Sequence, residues 1–245
     1  MCAESGNIRV LLGGAGRIRF PNGDESEIST AFILGPTNGA YVLEVEAGTR
    51  VFGVGLRPRG WSVLLGINAA DVADHICGFT DFAGRSAGGA VEEICNASDL
   101  SAMAPAADRF FADLIARRSK HRSRYSEAFE HWLTNPNDLD IDQLVDMMDV
   151  SRRQTDRVAK QFFGASPKML QRKYRALRAA DRISNGSPLW IAAGDGFYDQ
   201  SHFIKEFKSF IGVTPGQFAA SKAKWITAVQ TKRLVAPLHH PLASI

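Results

Sequence analysis

Long apolar runs are missing from this chain. No stretch approaches the ~20 consecutive apolar residues that a bilayer-spanning helix needs, so no membrane association is expected. Cysteine is scarce too. Cys2, Cys77 and Cys95 are an odd number without paired metal-ligand spacing, which excludes a disulfide framework and a cysteine-built zinc site and leaves reduced, unpaired thiols as the expectation. No His-x-His pair of a metal-binding cupin occurs, and no Ser/His/Asp or metal-ligand constellation is evident. No metal, cofactor or catalytic residue is therefore assigned. The opening residues Met-Cys-Ala-Glu-Ser-Gly-Asn carry no basic segment followed by an apolar core. A secretory signal is not expected, and the expected location is the cytoplasm.

What is present is the composition of a globular protein: 45% hydrophobic and 22% charged residues in a 245-residue chain, long enough for one large or two ordinary domains. The net charge of +3 conceals an asymmetry. Residues 1–118 carry 10 Lys and Arg against 14 Asp and Glu, whereas residues 119–245 carry 19 against 12. Within 150–222 the ratio is 13 to 5. Such a division points to one half that meets a polyanion and one that does not.

The first half is strand-like up to about Gly66. Ile8, Val10 and Leu12 alternate, as do Ile18 and Phe20, and Gly13-Gly14 and Pro21-Asn22-Gly23-Asp24 mark turns. With Ala31–Leu34, Tyr41–Val45, Arg50–Leu56 and Trp61–Leu65, five or six short strands predict a compact antiparallel sheet or small barrel. Helices are expected over Ala69–Phe79, within Ser86–Ser101 and over Pro105–Arg118. Arg57 and Arg59, in a Pro/Gly-rich loop, read either as an anion site or as exposed residues of a turn. Trp61 reads as core or as a ligand platform.

Arg117-Arg-Ser-Lys-His-Arg-Ser-Arg124 is a polar basic run between two periodic regions, and 119–124 reads as a linker, solvated or phosphate-contacting. A short helix from Tyr125 to Leu133 follows it. Ile141, Leu144, Val145 and Met148 make the stripe of the next helix. Asp149-Val150 is a turn, and Ser151 is an N-cap for Arg152–Phe163, whose inner face is Thr155, Val158, Ala159 and Phe162. This is the helix-turn-helix pattern. A longer helix is expected from Pro167 to about Ser184, and Asn185-Gly-Ser-Pro188 breaks it. Leu189–Asp195 gives another short helix, and Asp199 caps a helix whose stripe is Phe203, Phe207 and Phe210.

The second pair repeats the first at an offset of 48 residues. Ser151 falls on Asp199, Phe162 on Phe210, and Gly164, Ser166 and Pro167 on Gly212, Thr214 and Pro215. Gly-Ala-Ser-Pro and Gly-Val-Thr-Pro are one helix-stop, helix-start device used twice. The joining helix of 18 residues is roughly 27 Å long at 1.5 Å per residue. That suits two recognition helices about one turn of B-DNA apart, near 34 Å.

The stretch Gly196-Phe-Tyr-Asp-Gln-Ser-His-Phe203, continued by Phe207-Lys208, Gly212 and Thr214-Pro215, resembles the signature of AraC/XylS-type transcription regulators, and the resemblance extends over about 125–221. Tyr198–Phe203 with Ser166-Pro-Lys168 is similar to a branch with an uncharacterised β-rich N-terminal domain. Gly55-Leu-Arg-Pro-Arg-Gly-Trp61 followed by Leu64-Leu-Gly66 is similar to that N-terminal domain. The resemblance implies two domains: an α+β region 1–118 for sensing or oligomerisation, and an all-α DNA-binding region 125–222 with two helix-turn-helix motifs, leaving 223–245 as a tail. Three positions depart from the pattern: Ala159 where a large apolar residue is usual, Asp149 where a turn glycine is common, and Pro188 where an aliphatic is common.

By the same resemblance, base-reading positions fall on Arg153, Asp156 and Arg157 in the first motif and on Gln200, Ser201 and Lys205 in the second. Arginine can grip guanine O6/N7, glutamine can bind adenine, and aspartate can accept from cytosine N4. Asp156 reads equally as an ion-pair partner of Arg152 or Lys160. Phosphate candidates are Arg152, Lys160, Lys168, Arg172, Lys173, His202 and Lys208. The implied partner is double-stranded DNA in a bacterial cytoplasm, the protein being nucleoid-associated when bound. RNA polymerase, a small-molecule effector of unknown identity and a second copy of the chain stand as further partners. Two other readings are an alkyl-transfer repair enzyme on the same DNA-binding module, which needs an activated Pro-Cys-His-type cysteine absent here, and a regulator whose first domain only oligomerises.

Overall fold

The computed structural model describes residues 1–57, 60–118, 125–135 and 139–221. Arg59, the 119–124 linker and the 223–245 tail lie outside them. The chain forms an N-terminal domain of two antiparallel sheets with covering helices, then an all-helical domain.

Seven strands run in chain order: β1 Asn7–Leu12, β2 Gly16–Arg19, β3 Glu25–Glu27, β4 Ala31–Leu34, β5 Val42–Val45, β6 Arg50–Gly55 and β7 Ile76–Gly78. One sheet has the order β6-β1-β4-β7 and the other β3-β2-β5. β1 pairs along its whole length with β6, Asn7 opposite Gly55 and Leu12 opposite Arg50. It is buried on both faces because Ile8 and Val10 meet the helices while Leu11 meets Ile18 and Phe20 of the second sheet. The covering helices are α1 Phe79–Ala83, α2 Arg85–Asn96 and α3 Leu100–Arg118. Asp99 starts α3 six residues before Pro105, its carboxylate accepting from the Ala102 N–H at 3.2 Å.

Two expected elements in this half take other forms. Trp61–Leu65 is a single wide turn of helix, not a strand. Trp61, Val63, Leu64 and Leu65 are all buried, which a two-residue alternation cannot achieve, and Gly66 closes the turn at φ 65°. Ala69–Phe79 is not one helix. A short 3-10 turn over Ala69–Val72 ends in Asp74 at φ 56°, and β7 then pairs with β4 through Cys77 opposite Ile33. Asp74 is held there by accepting from the backbone and side-chain amides of Asn38 at 2.8 and 3.1 Å. Trp61 is core, 2% exposed, with its indole N–H on the Ile67 carbonyl at 3.0 Å.

The helical domain comprises α4 Tyr125–Thr134, α5 Ile141–Met148, α6 Arg152–Phe163, α7 Pro167–Ser184, α8 Leu189–Ala193, α9 Gln200–Ile211 and α10 Pro215–Ala220. Each helix pair has its own core. Leu144, Met148, Val158, Ala159 and Phe162 pack with Phe129, Trp132 and Phe163, and the Phe129 and Phe163 rings stand 4.9 Å apart. Those aromatic rings occupy the cluster in which Ala159 contributes only a methyl group. Around α9, Phe203, Phe207 and Phe218 form a chain of edge-packed rings against Leu177 and Ala180 of α7.

Candidate nucleic-acid interface

The two helix pairs close with the same local chemistry. The Ser151 hydroxyl accepts from the Gln154 N–H at 3.3 Å, and the Asp199 carboxylate accepts from the His202 N–H at 2.7 Å. Gly164 and Gly212 end their helices at φ 69° and 93°, a left-handed conformation that glycine adopts at no steric penalty. Ser166 and Thr214 then cap the following helices, each with proline at the first turn. The first turn differs: Asp149 itself takes φ 51° and donates its N–H to the Val145 and Asp146 carbonyls. Aspartate tolerates this region better than most side chains. Pro188 precedes α8, where its carbonyl accepts the Ala192 N–H at 2.9 Å.

The outward faces of α6 and α9 remain open. Arg153, Arg157 and Lys160 are exposed on α6, and Gln200, Ser201, Lys205 and Lys208 on α9. Asp156 is half-buried and bonds Lys160 at 2.7 Å, the ion-pair alternative for that residue. The Arg157 guanidinium donates to the Gln154 side chain at 3.2 Å. Arg152 reaches back to Asp142 at 2.9 Å, tying α6 to α5. The two ion pairs are open to solvent, so water and salt weaken them and phosphate can replace the carboxylate. His202 accepts the Tyr198 N–H at 3.3 Å on Nδ1 and stands edge-on to Phe197, and its Nε2 has no partner among the described residues.

Two lysine and arginine candidates sit in other surroundings. Arg172 forms a two-pronged bond with Glu206, both contacts at 2.7 Å, joining α7 to the inner side of α9. The hydrogen bonds from Arg172 hold the Glu206 carboxyl below its usual range. Lys173 is a correction. It is 2% exposed, and its ammonium donates to the carbonyls of Glu4 at 2.5 Å and Thr37 at 2.8 Å. In this arrangement it binds the N-terminal domain and is out of reach of a phosphate backbone. Its position on α7 between Arg172 and Tyr174 made it look like one more basic surface residue, and only the tertiary partner distinguishes it. Lys168 is exposed at the start of α7.

Contacts that sequence reading missed lie between the domains. The Ala3 N–H donates to the Phe210 carbonyl at 2.7 Å and the Ala40 N–H to the Ser209 carbonyl at 2.8 Å. Cys2 packs in the α9 core, and the Glu4 carboxylate, beneath it, is held by Arg9 at 2.7 Å and Asn7 at 2.9 Å. Two aromatics stand in solvent: Trp190, 78% exposed on α8, which no sequence pattern singled out, and Tyr198, 93% exposed just before the α9 cap. Among the described residues no group of three or more His, Cys, Asp or Glu could hold a metal. No helix among them is long and apolar enough to cross a membrane.

Two capped helix pairs on one connecting helix, joined to a β-rich domain, define a two-domain architecture of the helix-turn-helix class. Residues 144–221 match the model of a helix-turn-helix domain, and residues 3–78 match a domain of unknown function, DUF6597. The chain thus carries an AraC-type helix-turn-helix domain behind a DUF6597 domain. Over 87 residues it is 34% identical to an uncharacterised HTH-type transcriptional regulator of Haemophilus influenzae, covering 35% of this chain and 29% of that one. Over 79 residues it is 30% identical to the HTH-type transcriptional regulator GbdR of Pseudomonas aeruginosa, 31% of this chain and 22% of that one. The matches thus span less than a third of these relatives. Among solved structures, ToxT from Vibrio cholerae shares the fold across 89% of this chain and 91% of its own, with a TM-score of 0.50 at 14% identity.

Proposed function

We propose that this protein is a sequence-specific DNA-binding transcription regulator that reads two successive major-groove segments with α6 and α9. The observation that carries this reading is the repeated helix pair. Both outward faces are polar and open, and one 18-residue helix fixes their spacing. A helix of that length, roughly 27 Å, matches about one turn of duplex. Arg153, Asp156 and Arg157 would address one segment, and Gln200, Ser201 and Lys205 the next. Lys160, Lys168, Lys208, Arg152 and the outer nitrogen of His202 would contact phosphate. The N-terminal domain would sense a small molecule or pair with a second copy, and the bound complex would act on RNA polymerase.

The cysteine chemistry disfavours the alkyl-transfer alternative. Burial pushes the Cys2 thiol up to about 12 and also raises Cys77 and Cys95, so none is poised as a thiolate nucleophile. The test is selection of genomic DNA fragments bound by the full chain. The expected outcome is one recurrent motif with two blocks about 10 base pairs apart. Recovery of fragments without a shared motif would overturn sequence-specific reading.

A further inference from the structure

Tyr198 is the most exposed large hydrophobic side chain among the described residues, and it stands immediately before the cap of α9. Its neighbours explain why the ring is outside. A hydrophobic residue just before an N-cap commonly packs against the fourth residue of the helix. In α9 that fourth residue is Phe203, and Phe197, one position further out, has taken the place: the two rings stand 4.9 Å apart. The Arg175 guanidinium lies 5.7 Å from the centre of the Phe197 ring, and a Cβ at Gly196 would come within 2.7 Å of the Arg175 side chain. The chain is thus pressed against α7 as far as Phe197. Tyr198 is the residue at which it turns out.

The first motif treats the equivalent position differently. At the 48-residue offset Tyr198 falls on Val150, which is half-buried and packs against the cluster around Phe129 and Phe163. One motif uses this place to fill its core, and the other does not. The backbone at Tyr198 is nevertheless fixed. Its N–H donates to His202 Nδ1 at 3.3 Å, and the carboxylate of the next residue, Asp199, is occupied by the His202 N–H at 2.7 Å. The Tyr198 hydroxyl and ring have no partner among the described residues. A held backbone therefore presents a bare ring beside Gln200 and Ser201, at the open end of α9. Ile204 is the exposed apolar side chain within α9 itself.

We propose that Tyr198 is a specificity-determining residue, its ring packing against the C5-methyl of a thymine in the segment that α9 addresses. This assignment rests on the regulator reading. The N-terminal residues of a recognition helix are the ones that meet base edges in the major groove. That groove offers one apolar group, the thymine methyl. Gln200, Ser201 and Lys205 supply hydrogen bonds and charge, which read donors and acceptors. The ring adds the surface that separates thymine from a base without the methyl. It carries no charge, so its effect falls on sequence preference and not on the salt dependence of binding.

The test uses the full chain and a duplex carrying the motif recovered by genomic selection, with each thymine replaced in turn by deoxyuridine, which lacks only the methyl. The wild type is expected to lose affinity about fourfold at one thymine of the block that Gln200→Ala also weakens, the scale of one buried methyl group. Tyr198→Ala should bind the thymine and deoxyuridine duplexes equally, and Tyr198→Phe should keep the preference. Both variants should keep the wild-type Tm, because the ring has no partner within the described chain. A block without thymine, equal binding of every deoxyuridine duplex by the wild type, or a preference that survives in Tyr198→Ala and so passes to Ile204 would overturn the proposal. So would loss of the preference in Tyr198→Phe, which would assign the contact to the hydroxyl. A uniform loss on all duplexes with a lowered Tm would make the ring structural and overturn it too. In each of these cases the wild type still selects its motif and the regulator reading stands. Failure to recover any motif overturns that reading, and this one with it.

Discussion

Arg153 and Gln200 both lie in the first turns of α6 and α9, both exposed and both chemically suited to a base edge. A bidentate contact discriminates bases by about 1–3 kcal/mol. Arg153→Ala and Gln200→Ala are therefore each expected to weaken the selected site by that amount and random DNA hardly at all, measured by competition binding. Equal losses on both DNAs would remove these residues from base reading. Lys173 supplies a different experiment. Burial lowers its pKa from 10.5 to about 8, so between those values the unfolded chain holds more of this proton than the native one. The sign is then fixed: Lys173 opposes folding fully below about pH 8, and its penalty shrinks as pH rises toward 10.5. The stability difference between the wild type and Lys173→Met should accordingly shift in favour of the wild type between pH 7 and 9.5 in chemical denaturation. A pH-independent difference would mean that the ammonium is not buried as described.

At the scale of elements, the 48-residue repeat is a repeat of helix ends more than of helix faces. Gly164 and Gly212 share a left-handed backbone, and Ser166-Pro167 and Thr214-Pro215 share a cap. Gly164 has an additional duty, because a Cβ there would come within 3.0 Å of the Ala69 carbonyl and 3.1 Å of the Ala73 side chain. It both ends α6 and lets the N-terminal domain approach. Gly164→Ala combines a left-handed penalty of about 1–2 kcal/mol with that contact, so thermal unfolding should show a clear destabilisation. Gly186→Ala, also at positive φ but with open space around it, should show the backbone part alone. If the two variants lose the same stability, the interdomain contact at Gly164 adds nothing.

Across the whole molecule, the domain boundary redistributes charge. The basic excess of the second half faces outward on α6 and α9, while Lys173 turns inward to backbone carbonyls and Arg172 is tied to Glu206. Counterion release makes DNA affinity fall with salt in proportion to the phosphates neutralised. Lys208→Ala is expected to reduce the log–log salt slope by about 1, and Lys173→Met to leave it unchanged, by fluorescence anisotropy at several ionic strengths. A slope unaffected by Lys208→Ala would place that lysine away from the backbone.

The helical half could be read from local chemistry, since a cap, a stripe of period 3.6 and a glycine stop each act over a few residues. Ser151, Asp199, the Phe203-Phe207-Phe210 stripe and the bounds of α7 all belong to that short-range class. The sheet half was less legible. Trp61–Leu65 is an apolar run too short to separate strand from helix by period, and β7 exists because β4 lies beside it, not because Ile76–Gly78 favours extension. Asp149 at φ 51° and Ala159 within an aromatic cluster are departures whose accommodation depends on neighbours. The double helix pair and its charge are legible in the chain alone, because they follow from residues within a turn or two of each other. Which basic residues face water and what Lys173 holds emerge only when the two domains pack together. The Lys173 contacts depend on Glu4 and Thr37, more than a hundred residues away from α7, which no local pattern connects to it.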